Sequence, residues 1–152
     1  MHIQVLGMHG KATFEQMVNH FTSMGGDCVI MNPDMIMGAD HAMSAAMHAE
    51  RSFSEGTNRS KTVLTETILY CAWERQIGKA LQKMRPKEGC TDYAVVLFDI
   101  DDPHIEEIGM VRDDSILEPS RRKAELLGMM DDSTPLVDQA IENVAMVELL
   151  KN

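Results

Sequence analysis

Three carboxylates, Asp99, Asp101 and Asp102, follow the most apolar strand-like run of this sequence. Oxygen donors grouped at a strand end could hold Mg²⁺ against a phosphorylated ligand. The plainer reading is a strand end followed by a capped helix. Asp102-Pro103 has the form of an N-cap with Pro at the first helical position. Six histidines, at 2, 9, 20, 41, 48 and 104, include no H-E-x-x-H motif. His41 and His48 could share a helix face, but no Cys or carboxylate at ligand spacing joins them, so surface histidine is the simpler expectation. The run Gly7-Met8-His9-Gly10-Lys11 has too short a gap for a phosphate loop, and Ala12 stands where Ser or Thr is needed, which leaves a strand-to-helix turn. No nucleophile elbow or kinase motif occurs. The residues therefore predict no catalytic constellation, no metal and no cofactor.

Two non-catalytic patterns remain. The chain carries a net charge of −10, yet residues 51–87 hold eight basic and three acidic residues, a local +5 against −15 elsewhere. Such asymmetry points to a localised anionic partner. Arg75, Lys79 and Lys83 recur at i, i+4, i+8 on an expected helix, with Arg59 and Lys61 in the loop before it. The alternative is an ordinary solvated helix face. The second pattern lies near the C-terminus. Leu136, Val137, Ala140, Ile141, Val144 and Val147 form one apolar stripe, whereas Met146, Leu149 and Leu150 fall on the opposite, polar side. A helix with two apolar faces is buried all round or meets a partner. Glu148, close to the core stripe, fits neither.

The elements that must position these residues follow from periodicity. Strands are expected at 3–6, 28–31 and 92–98, with a further extended piece at 34–37 and an edge strand within 111–117. A capping box, Thr13 with Gln16, opens a helix carrying Phe14, Met17, Val18 and Phe21 on one face. Asp40 is expected to cap a helix through Met43, Ala46 and Met47, and 53–61 reads as a loop. Helices follow at 62–73, at 75–84 (Ile77, Ala80, Leu81 and Met84 inward), at 120–127, and from Thr134-Pro135 onward. The length of 152 residues fits a single domain, 1–152, of the α/β class, with a small central mixed β-sheet packed with about six to seven helices. No apolar run exceeds six residues and no signal peptide is recognised; Cys28, Cys71 and Cys90 form no pair pattern, which suits a reducing cytoplasm.

Three stretches in order carry a family resemblance: IMNPDMIMGADHAMSAAMHA (30–49); SKTVLTETILYCAWERQIGKALQKM (60–84) with DYAVVLFD (92–99); and RDDSILEP (112–119) with STPLVDQAIENVAMVELLK (133–151). Together they resemble the small kinase-binding subunit of the KEOPS complex, the TPRKB or PRPK-binding-protein family, in its archaeal type. The resemblance implies a non-catalytic subunit of a complex that makes threonylcarbamoyl-adenosine in tRNA. Such a subunit binds the N-terminal lobe of a small atypical kinase and helps recruit tRNA by its 3′ CCA end. By position, the implied tRNA contacts include Arg59, Lys61, Arg75 and Gln76, to which the local charge pattern adds Lys79 and Lys83. The expected kinase contacts are Ala145, Met146, Leu149 and Leu150. The rival expectation is a small Mg²⁺-dependent enzyme using Asp99, Asp101 and Asp102.

Overall fold

The computed structural model describes residues 1–129 and 134–150. Its centre is β3 (Asp92–Phe98), in which every side chain from Tyr93 to Phe98 is buried. A strand that is apolar on both faces needs cover on both. β1 (Ile3–His9) and β2 (Asp27–Met31) flank it, and the two-residue β4 (Val111–Arg112) extends the sheet beyond β1, giving the order β2-β3-β1-β4. All three pairings are antiparallel, so the sheet is not the mixed one expected.

Alternation along β3 divides the core. Ala94, Val96 and Phe98 face α2 (Ala39–Glu55), α3 (Val63–Ala72), α4 (Ile77–Met84) and α6 (Leu136–Leu150). Tyr93, Val95 and Leu97 face α1 (Phe14–Ser23) and the turns around Ile105 and Met110. The short α5 (Arg121–Leu126) packs its Ala124 with Met37 and Ala140. The capping box of α1 is present: Thr13 Oγ1 accepts from Gln16 N–H at 3.1 Å, and Gln16 Oε1 accepts from Thr13 N–H at 2.8 Å.

Several elements differ from the sequence reading. In α2 the buried apolar residues are Ala42, Ala45, Ala46 and Ala49, while Met43 is half-buried and Met47 is 58% exposed. Four small side chains let α3 approach closely, and the bulkier methionines are displaced outward. The helix is capped by Gly38 rather than Asp40. At φ 97° this position favours glycine, and its N–H bonds Leu117 O at 2.7 Å. α2 also runs through Glu55, so the loop begins only at Gly56. Residues 33–35 form a 3-10 turn capped by Asn32, not an extended piece. Asp102-Pro103 opens no α-helix; a 3-10 turn at Ile105–Ile108 follows instead. The expected edge strand shrinks to β4, followed by a 3-10 turn at Asp114–Leu117. The glycine of the would-be phosphate loop is explained by packing. A side chain at Gly7 would meet Asp113 O at 2.2 Å, where Asp113 N–H bonds Gly7 O at 2.9 Å.

Buried polar groups fasten these pieces together. His41, expected at the surface, is fully buried. Its Nδ1 accepts from Met37 N–H at 2.9 Å, so Nε2 carries the proton and donates to Cys71 O at 3.0 Å. Burial pushes its pKa down to about 4, with positive Lys83 and Lys123 adding to that direction and the Cys71 bond opposing it. Lys123 Nζ donates to Ile36 O at 3.0 Å and Ile116 O at 2.8 Å, and burial pulls this amine down to about 8.

The imidazole gives a pH test. Unfolded His41 protonates near its usual 6.5, whereas the folded residue does so only near 4. Below pH 6.5 the unfolded state therefore binds more protons, and stability falls on acidification. Between pH 7 and pH 5 this group alone removes about 2 kcal/mol. Urea unfolding at the two pH values should show that loss in the wild type. His41→Gln keeps an acceptor and a donor but cannot titrate, so its loss over the same interval should be smaller by about that amount.

Candidate partner and nucleic-acid surfaces

The loop between α2 and α3 carries Arg59 and Lys61 of the basic segment. Its geometry depends on Glu66, a residue of the first turn of α3 that is completely buried. Glu66 Oε1 accepts from Ser60 N–H at 2.9 Å, from Ser60 Oγ at 2.8 Å and from Arg59 N–H at 3.1 Å; Oε2 lies 3.2 Å from the same Arg59 N. Thr62 caps the helix through its side chain on Thr65 N–H at 3.1 Å. A carboxylate buried on backbone donors fixes the loop, and the side chains of Arg59 and Lys61 are left exposed upon it. Glu66 lies in the T-E-T-I-L stretch. Its signal in the sequence was a carboxylate in a helix first turn, a position also favoured merely by the helix dipole.

Arg75 and Gln76 do not lie on a helix. α3 ends at Trp73 in the left-handed conformation, and α4 starts only at Ile77 with Gln76 as its cap. The expected i, i+4, i+8 stripe is therefore broken. Arg75, Gln76 and Lys79 are exposed, but Lys83 is half-buried. Its Nζ donates to Ala72 O at 2.7 Å, sits 5.1 Å from the centre of the Trp73 ring, and is held below the usual lysine range by burial. The Trp73 ring in turn stacks on His41 at 5.2 Å. Lys83 thus caps the C-terminus of α3. Arg59 and Lys61 precede one end of that ten-residue helix and Arg75 follows the other, a helix length of about 15 Å. The exposed cations are spread along α3 and are not gathered at one point.

On α6, Ala140, Val144 and Val147 are buried, whereas Met146 is 50%, Leu149 67% and Leu150 43% exposed; Ala145 is exposed beside them. The helix runs alongside α2. Val137 lies where a side chain on Gly38 would reach, and eleven residues further along α6 Glu148 meets His48, ten residues beyond Gly38. Glu148 is explained by this contact. Its Oε1 is 3.2 Å from His48 Nδ1, and Arg51 reaches the same nitrogen at 2.9 Å. A groove of about 630 Å³ between the two helices is lined by Met43, Met47, His48, Arg51 and Ile141. The periodicity of α2 gave no warning that its methionines would face this groove, because it equally placed them in the core.

Asp99, Asp101 and Asp102 are not brought together as a metal site. Asp99 Oδ1 accepts from His2 N–H at 2.9 Å, Asp101 is 3.4 Å from His2 Nε2, and Asp102 is 3.6 Å from His104 Nε2. All three are exposed, and among the described residues no group of three or more His, Cys, Asp or Glu could hold a metal ion. The expected shared Mg²⁺ site is not formed: Asp99 and Asp101 are both engaged by His2, and Asp102 by His104, at the chain surface. Among the described residues no helix is long and apolar enough to cross a membrane.

No curated protein matches the sequence. A family model described as kinase binding protein CGI-121 matches residues 11–149, which includes every element from α1 to nearly the end of α6. By that match the chain belongs to the CGI-121 family of kinase-binding proteins, the family of the small kinase-binding subunit that its sequence resembles.

Proposed function

We propose that this protein is a non-catalytic cytoplasmic subunit of a KEOPS-type tRNA threonylcarbamoyl-adenosine complex. In this reading it seats the small atypical kinase on the exposed apolar end of α6 and helps recruit tRNA by its 3′ CCA end. The observation that carries the reading is the outward face of Ala145, Met146, Leu149 and Leu150 on a helix whose other face is core. A contiguous apolar face rimmed by polar groups is an interface signature. Here the rim is Glu148, His48 and Arg51, and the α2 methionines continue the surface. Met is well suited to such a surface because its side chain adapts to the opposing relief.

The ionisable groups best placed for chemistry are spent on structure. His41 joins Met37 to Cys71, Glu66 holds the 59–60 backbone, and Lys83 and Lys123 bind backbone carbonyls. This supports a binding role. For tRNA, the pinned loop with Arg59 and Lys61, together with Arg75, Gln76 and Lys79, is the best-supported contact region. Lys83 is the weakest member of the original set, since its ammonium is already engaged.

Co-expression with the small kinase followed by size-exclusion chromatography tests the first surface. A stable one-to-one interface should bury roughly 1,200–2,000 Å². Leu149→Asp should leave thermal unfolding of the isolated chain almost unchanged, because the residue is 67% exposed, and should weaken the complex by about 2 kcal/mol or more. Co-elution that survives this change would place the kinase elsewhere.

Nucleic-acid binding is tested with full-length tRNA and tRNA lacking its CCA, at two salt concentrations. Phosphate contacts should weaken steeply with salt. Arg59→Glu, Lys61→Glu, Arg75→Glu in one chain should abolish the salt-dependent part. Equal affinity for both tRNAs would refute recognition of the 3′ end.

A further inference from the structure

Two residues that fit the core pattern of their helices are left in solvent beside each other. Phe14, the first residue of α1, is 56% exposed, and Leu81 on α4 is 42% exposed. Both line one narrow crevice of about 130 Å³, floored by Ile30, Met31, Ile68 and Met84. Past Arg85 and Pro86 this crevice continues into a wider hollow of about 480 Å³ between the start of α1 and the 85–90 turn. Lys11, Arg85 and Lys87 stand around that hollow and are all exposed; Glu88 is the carboxylate among its lining residues. Lys87 lies 3.6 Å from Asp34, while among the described residues neither Lys11 nor Arg85 takes part in an ion pair. The rim is thus positive on a protein whose net charge is −10.

We propose that this crevice is a docking site for an acidic segment of a second partner protein. The segment inserts one bulky apolar side chain between Phe14 and Leu81 and lays its carboxylates against Lys11, Arg85 and Lys87. An apolar slot with a charged border is the arrangement in which one anchor residue carries affinity while the charges set orientation. The apolar floor favours a peptide over RNA. Apart from Arg85 at its border the slot is lined by apolar side chains, so the polar edges of a nucleobase pushed into it would be left largely unmatched, which is costly. A leucine or phenylalanine side chain has no such groups to satisfy. The site shares no lining residue with the α6 end or the α2–α6 groove, so on the kinase placement proposed above it can be filled while the kinase is bound.

The test is a selection of displayed random peptides on the full-length chain, counter-selected on Phe14→Ser, Leu81→Ser, Arg85→Glu combined in one variant. Circular dichroism and urea unfolding confirm that the variant is folded. Enrichment of peptides with Leu, Phe or Trp flanked by Asp or Glu is the expected result. A synthetic copy of the best one, read by fluorescence polarisation, should bind roughly tenfold or more weakly to the variant, and equally so when its own apolar residue becomes Ser. No enrichment, or affinity that survives loss of the apolar anchor, would overturn the proposal. So would displacement of the peptide by oligocytidine RNA whose own binding depends on Phe14, since the slot would then be a nucleic-acid site. The variant should still co-elute with the kinase. Loss of co-elution, with Leu149→Asp remaining bound, would make the crevice the kinase interface and overturn the assignment to a second partner.

Discussion

The two-sided burial of β3 is the constraint from which the remaining structure follows. Six consecutive residues, Tyr93 to Phe98, expose almost nothing. A strand of this kind is stable only as the middle of a sheet with a helical layer on each face. The layers are unequal. One face takes α2, α3, α4 and α6, and the other takes α1 and a series of tight turns. The crowded face contains the alanine side of α2, because small residues allow four helices to close over the sheet. The bulk displaced from that packing reappears outside, as Met43 and Met47 in the α2–α6 groove. The relief of the α2–α6 groove is therefore a by-product of how the core is closed.

Closing a helical layer leaves helix ends and connecting loops with unpaired backbone groups. In this protein ionisable side chains meet that need. Glu66 accepts from the backbone that precedes α3, Lys83 donates to the backbone that ends it, and His41 ties that same end to the approach of α2. Lys123 does the same for the segments around Ile36 and Ile116. Burial of these groups is tolerated because each finds backbone partners. One consequence concerns the surface directly. The cation drawn into capping α3, Lys83, is taken from the charge pattern of residues 51–87, while Arg59 and Lys61 gain a rigid support.

Most of the architecture was legible in the sequence. The strands at 28–31 and 92–98, the Thr13–Gln16 capping box, the helix starting after Thr62 and the final helix all lie within a residue or two of their observed places. Each rests on a local signal that tertiary contacts reinforce. The failures have a common cause: the sequence states which residues can be buried, and not how much room there is. Four alanines exclude the methionines of α2 from the core, and Leu81 and Phe14 fit helical stripes that find no layer above them. His41 could not be placed because its partners, Met37 N–H and Cys71 O, are backbone groups that leave no trace in side-chain spacing. The break between Trp73 and Ile77 was hidden for a related reason. A tryptophan in the left-handed conformation is unusual, and its supports, His41 and Lys83, lie elsewhere in the chain.

The distribution of charge relates the surfaces to one another. The apolar end of α6 is bordered by a mixed-sign cluster, Glu148, His48 and Arg51, whereas the exposed cations of residues 59–87 lie at the two ends of α3, on α4 and around the 85–90 turn. Charges separated by more than a Debye length, about 8 Å in physiological salt, act nearly independently. Arg59 and Arg75, at opposite ends of α3, are therefore two separate attractions for a polyanion. An elongated ligand can satisfy both, and a compact one cannot. The net charge of −10 disfavours the same ligand over much of the remaining surface, so the fields determine where and in which direction it lies more than how tightly it is held. An apolar contact, insensitive to salt, is better suited to permanent assembly. The separation of an apolar helix end from a dispersed set of cations is thus what a protein needs if one partner is to stay and another is to come and go.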